Sequence, residues 1–120
     1  MKKYIALWDT GATNSGITSK VVHELNLKPI RKTQVTGVNG TTICNVYLVD
    51  IILPMHVGFE NVEVTEINIT GFEVLIGMDI IMEGDFAISN ANQKTLFSYC
   101  VPSIKNNPVD LVEKAKHSKR

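Results

Sequence analysis

Apolar and polar positions in this chain alternate over short stretches, and glycine, proline and asparagine separate one stretch from the next. Such spacing points to strands and turns, with little of the i, i+3, i+4 recurrence that marks long helices. Tyr4-Ile5-Ala6-Leu7-Trp8 predicts a buried strand running into Asp9-Thr10-Gly11, where Gly11 lets the chain bend. Thr18 or Ser19 can cap a short helix from Lys20 to Leu27, with Val21, Val22 and Leu25 on its apolar side and Pro29 closing the unit. Residues 32–46 are rich in β-branched side chains and contain Asn39-Gly40, a strong hairpin-turn signal.

Tyr47 to Leu53 reads as another strand, stopped by Pro54, and Met55 to Gly58 as a turn. Phe59 to Ile67 alternates polar and apolar, as a strand with one face in water does, and pairs with the strand before it. Phe72 to Ile76 predicts a buried strand, and Asp79 to Glu83 a short helix that Asp79 could cap and Gly84 could end. A last hairpin joins residues 85–90 to 95–101 across Ala91-Asn92-Gln93-Lys94. The expected domain therefore covers residues 1–101. Residues 102–120 read as a solvated tail in which Asn107 and Pro108 could start a short helix reaching about His117.

Composition narrows the function classes. A chain of 120 residues is one domain, and 12 basic against 12 acidic residues leave no net charge. Neither nucleic acid nor an anionic membrane surface is indicated as a partner. No apolar run approaches the ~20 residues that span a bilayer, and the stretch after Met1-Lys2-Lys3 is too short for a signal peptide. The expected location is cytoplasmic, where Cys44 and Cys100 read as two small buried thiols and not as a disulfide. For the same reason the glycosylation-type triplets at Asn39 and Asn68 are discounted.

Asp9 is the candidate for chemistry. Alone, Asp-Thr-Gly is an ordinary turn signal, with the carboxylate bonding to nearby backbone N–H groups. A carboxylate at the end of an apolar strand is costly to bury, however, and a second segment changes the balance. Phe72-Glu73-Val74-Leu75-Ile76-Gly77-Met78-Asp79-Ile80-Ile81 is another apolar strand that ends in glycine beside an aspartate. Together the two segments resemble the retropepsin-like aspartic proteases of the retroviral, retrotransposon and single-domain bacterial types. There an Asp-Thr-Gly-Ala loop is followed by an apolar-apolar-Gly-x-Asp element. The resemblance spans residues 4–101, and the final hairpin looks more like the retrotransposon-type members.

The resemblance implies an all-β, folded β-barrel-like acid protease fold with one or two short helices. It implies an aspartic endopeptidase that uses no metal and no organic cofactor and acts on a peptide or protein substrate. Asp9 would be catalytic. Thr10, Gly11 and Asp79 would support the active-site loop, with Thr10 tying two loops together and Asp79 acting as a buttress. Ala12, Thr13 and Asn14 would line the near subsites. Gly37, Val38, Asn39 and Gly40, with Thr41, would form a flap closing over substrate. Carboxylate catalysis of peptide hydrolysis needs two acids on one water, and this sequence carries one Asp-Thr-Gly. The second acid must come from another chain, so a two-fold homodimer is part of the expected mechanism.

Three departures from retroviral members stand out. Only eight residues precede Asp9 in this sequence, so no counterpart of their N-terminal dimer strand is expected. Thr13 and Met78 occupy the positions where they often carry an ion pair, and both partners are absent together. Trp8 is bulkier than the usual aliphatic residue before the catalytic Asp.

Rival readings remain at this point. One is a catalytically inactive peptide-binding or interaction module on the same fold. Phosphoryl transfer on Asp9 would need Mg²⁺ held by further carboxylates, for which Gly84-Asp85 is the sole candidate. His23, His56 and His117 lie in a helix, a turn and the tail, away from any recognisable nucleophile or ligand cluster.

Overall fold

The structure is a computed structural model that describes residues 1–118, and it separates into two compact units, Met1–Met82 and Glu83–Arg120. The first unit holds β1 (Ala6–Trp8), β2 (Gly16–Thr18), α1 (Ser19–Glu24), β3 (Arg31–Gly37), β4 (Gly40–Leu53), β5 (Val57–Ile67), β6 (Val74–Ile76) and α2 (Met78–Ile81). Its six strands form one sheet in the order β1-β6-β2-β5-β4-β3, curled into a half-barrel. The protein is mostly β with a few short helices, in agreement with the all-β retropepsin-like expectation.

The order follows from one long strand. β4 has 14 residues: Gly40 to Val46 pair with β3, and Val46 to Leu53 pair with β5. Two strands were expected here, split at Tyr47. The structure has one strand through Tyr47, and its ladder with β5 is interrupted only by a register shift between Val49 and Ile51. β2 then lies between β5 (parallel) and β6 (antiparallel), which brings the segment after Asp9 into the middle of the sheet. Ile17, Val21, Tyr47 and Val64 meet in the core, with Val49, Val62 and Val74 packed against them. Full burial of Ile17, Val21 or Val64 contributes about 1.5–3 kcal/mol each.

Several sequence expectations need correcting. β1 was expected to be buried, yet Ala6 and Leu7 are exposed and only Trp8 is half-buried, because β1 is an edge strand with a neighbour on one side. The first helix ends at Glu24, before Leu27, since Asn26 turns left-handed (φ 52°). Thr18 is its N-cap by backbone only; its Oγ1 is buried and makes no hydrogen bond. The turn of the β3–β4 hairpin is centred on Val38 and Asn39, one residue earlier than Asn39-Gly40 suggests, with Gly37 paired to Gly40. Cys44 is half-buried and Cys100 exposed; both are free, and neither is the buried thiol expected.

The second unit pairs β7 (Asp85–Ala91) with β8 (Lys94–Cys100). Phe86 and Phe97 pack edge to face at 5.1 Å between ring centres. The Asp85 carboxylate accepts the Ile104 N–H at 2.9 Å and the Ser103 hydroxyl at 2.8 Å, which holds its carboxyl below the usual range. α3 (Leu111–Lys116) begins later than Pro108, because Asp110, and not Asn107, accepts the Val112 and Glu113 N–H groups as its cap.

Candidate active site

β1 pairs in parallel with β6, Leu7 opposite Leu75 and Trp8 opposite Ile76. The pairing runs one step further: the Asp9 N–H donates to the Ile76 carbonyl at 2.8 Å. Asp9 therefore stands at the end of a strand whose neighbour ends at Gly77, and the two apolar-to-glycine segments of the sequence lie side by side. Asp9 is half-buried, whereas Thr10 and Gly11 are exposed.

The loop after Asp9 folds back onto the aspartate. The Gly11 N–H donates to Asp9 Oδ1 at 2.8 Å, and the Ala12 N–H to the Asp9 carbonyl at 3.2 Å. Gly11 lies in the expected turn, closed by that Ala12–Asp9 bond, and its φ is not left-handed. Space beside it is tight: a Cβ there would lie 3.2 Å from Asp9 Oδ1. A carboxylate that accepts a backbone N–H in this way keeps its orientation without a side-chain partner.

The same loop is then fastened to the start of α2. The Ala12 carbonyl accepts the Met78 N–H at 2.8 Å, and the Thr13 carbonyl accepts the Asp79 N–H at 3.2 Å. Gly77 is buried where the two backbones cross, and a Cβ on it would come within 2.8 Å of the Asn14 carbonyl group and 2.9 Å of the Ala12 oxygen. Asp79 is not the cap of α2; that position is Gly77, and Asp79 lies in the first turn. Its Oδ2 accepts the Ser15 N–H at 3.0 Å, while Oδ1 accepts the Ser15 hydroxyl at 2.7 Å and the Ile80 N–H at 2.9 Å. The Ser15 hydroxyl in turn accepts the Gly77 N–H at 3.0 Å.

Asp9, Thr10, Gly11, Ala12, Thr13, Asn14 and Asp79 are thus drawn into one knot of backbone. Gly37, Val38, Asn39 and Gly40 are separate from it, at the tip of the β3–β4 hairpin. Val38 is fully exposed, and a Cβ at Gly37 or Gly40 would meet nothing within 4 Å. The root of that hairpin is tied down. Arg31 bonds Glu63 at 2.6 Å, and the buried Tyr47 hydroxyl donates to Glu66 at 2.7 Å; burial first, then Glu66, raises the Tyr47 pKa.

Sequence reasoning missed Ser15, which is fully buried. The signal was Gly16-Ile17-Thr18 behind it: had these three residues been recognised as a strand, Ser15 would have stood at its inner end. It also missed the cross-strand pair Leu7 and Leu75. Side chains alternate along a strand, so Leu7 lies on the same side as Asp9 and presents an apolar surface beside it. Among the described residues no group of three or more His, Cys, Asp or Glu side chains could hold a metal ion, and no helix is long and apolar enough to cross a membrane.

In comparison with known families, residues 2–83, more than half of the chain, fit the family described as "gag-polyprotein putative aspartyl protease". Neither a curated protein nor a solved structure matches the chain.

Proposed function

We propose, from the premise that this chain belongs to the gag-polyprotein aspartyl protease family and carries its aspartyl protease-type domain, that it is an endopeptidase working as a homodimer with one Asp9 from each subunit. The observation that carries this reading is the fastening of Asp9: a half-buried carboxylate at a strand end, oriented by the Gly11 N–H on a loop locked to Gly77–Asp79. So much rigid backbone spent on one aspartate suits a group whose position must be exact to a fraction of an ångström.

Two carboxyl groups in contact, as in aspartic proteases generally, share one proton. The ionised Asp9 takes a proton from the water between them as the water oxygen attacks the scissile carbonyl carbon. The protonated Asp9 of the partner subunit hydrogen-bonds the carbonyl oxygen as negative charge grows there. Collapse of the tetrahedral intermediate breaks the C–N bond, and the departing amine leaves with a proton from the dyad. Thr10 from both subunits joins the loops across the axis. Ala12, Thr13 and Asn14 hold substrate backbone near the scissile bond, and Leu7 with Leu75 receives an apolar substrate side chain. Residues 37–41 close over the peptide and exclude water, hinging on the root held by Arg31–Glu63 and Tyr47–Glu66.

The test combines solution mass with cleavage of a peptide library over a pH series, wild type against Asp9→Asn. Expected are a dimer, cleavage strongest at acid pH, and complete loss of cleavage in Asp9→Asn with an unchanged melting temperature, because asparagine keeps the shape and loses the acid–base role. Undiminished cleavage by Asp9→Asn removes Asp9 from the mechanism. A monomer that binds peptides and leaves them intact makes the domain a binding module.

A further inference from the structure

Ser15 has the least exposed polar side chain of the first unit and takes no part in the chemistry above. Its surroundings dictate how it bonds. The Asp79 carboxylate can only accept and the Gly77 N–H can only donate, so the one hydroxyl hydrogen points to Asp79 Oδ1 and a lone pair faces Gly77. Its own N–H donates to the other Asp79 oxygen. Its carbonyl accepts the Thr65 N–H of β5 at 3.2 Å. One residue therefore joins the Asp9 loop, the turn into α2 and the neighbouring strand.

We infer that Ser15 is a positioning residue, which transmits the restraint of Asp79 and Gly77 back along residues 12–14 to Asp9. The path is short and continuous. Ser15 and the Ala12 and Thr13 carbonyls fix the loop to residues 77–79, and the Ala12 and Gly11 N–H groups fix Asp9 to the loop. Removing the hydroxyl leaves a buried Gly77 N–H without its acceptor and frees one of the Asp79 contacts. Gly77 is wedged against the Asn14 backbone and has little room to find another partner. The disturbance then runs into the loop.

The catalytic part of this inference rests on the protease reading, so the experiment has one readout that does not. Amide hydrogen exchange and peptide cleavage are measured on the full chain for wild type, Ser15→Ala and Asp79→Asn. In Ser15→Ala, exchange at Gly11 and Ala12, whose hydrogen bonds do not involve Ser15, is expected to quicken about tenfold, roughly the worth of one net hydrogen bond. The β3–β4 amides should keep their rates. Asp79→Asn, which retains the shape and one acceptor oxygen, should show the same pattern more weakly and serves if Ser15→Ala does not fold. The value of kcat is expected to fall by about tenfold or more with KM nearly unchanged, as misplacement of a reacting group does. Unaltered exchange at Gly11 and Ala12 in a folded variant overturns the inference, and so does a uniform rise across the unit, which would make Ser15 a fold-stabilising residue only. A wild-type chain that cleaves nothing defeats the protease reading, while the exchange pattern still decides the role of Ser15.

Discussion

Two glycine-bearing regions of the first unit are built on opposite terms. Around Asp9, residues 9–15 and 76–80 are held by contacts that reach across more than sixty positions of sequence; Gly77 sits where no side chain fits, and Gly11 where one would crowd Asp9. The β3–β4 hairpin bonds mainly to itself, and its glycines face open space. The same residue type thus reports immobility in one place and freedom in the other. A site that must orient a carboxylate needs the first kind of backbone. The flap proposed for residues 37–41 would need the second, drawn from the part of the fold with few long-range contacts.

Substitutions at the glycines sharpen this contrast. The largest effect is expected for Gly77→Ala, where the added Cβ meets backbone that cannot move aside. A loss of about 4 kcal/mol or more, with collapse of the thermal transition, is the outcome by calorimetry or denaturant titration. Gly40→Ala should cost about 1 kcal/mol through backbone conformation alone, since Gly40 has φ +105° and ample room. Gly37→Ala, with neither a left-handed φ nor a neighbour, should shift stability by no more than about 0.5 kcal/mol. Equal costs for Gly77→Ala and Gly37→Ala would erase the distinction between the two regions. A large KM change in Gly37→Ala at unaltered stability would instead tie the hairpin tip to the ligand.

Much of this is legible in the amino-acid sequence. Asp9-Thr10-Gly11 and Ile76-Gly77-Met78-Asp79 were recognisable as partners because each ends an apolar strand, and strands of that kind pack side by side. The hairpin at 32–46 was visible in its β-branched residues and its Asn39-Gly40 turn, although the turn settled one residue earlier. β2 left only the faint signal of Gly16-Ile17-Thr18, because three residues are too few for a period of two to register. β4 looked like two strands, since one strand that changes partner at Val46, from β3 to β5, has no sequence mark of its own. The exposure of β1 was equally hidden: an apolar run does not say whether it will lie at the edge or the centre of a sheet.

What the amino-acid order determines by itself is local: where strands and turns fall, which aspartate follows an apolar run, and which glycines punctuate. Those properties depend on residues within a few positions of one another. Tertiary structure alone decides that Ser15 and Asp79 share a hydrogen bond and that Gly77 must lack a side chain. It alone decides that the turn at Gly11 brings its N–H onto the Asp9 carboxylate. Each of these depends on how two distant pieces of backbone cross, and the distance between crossing chains is written in no single segment.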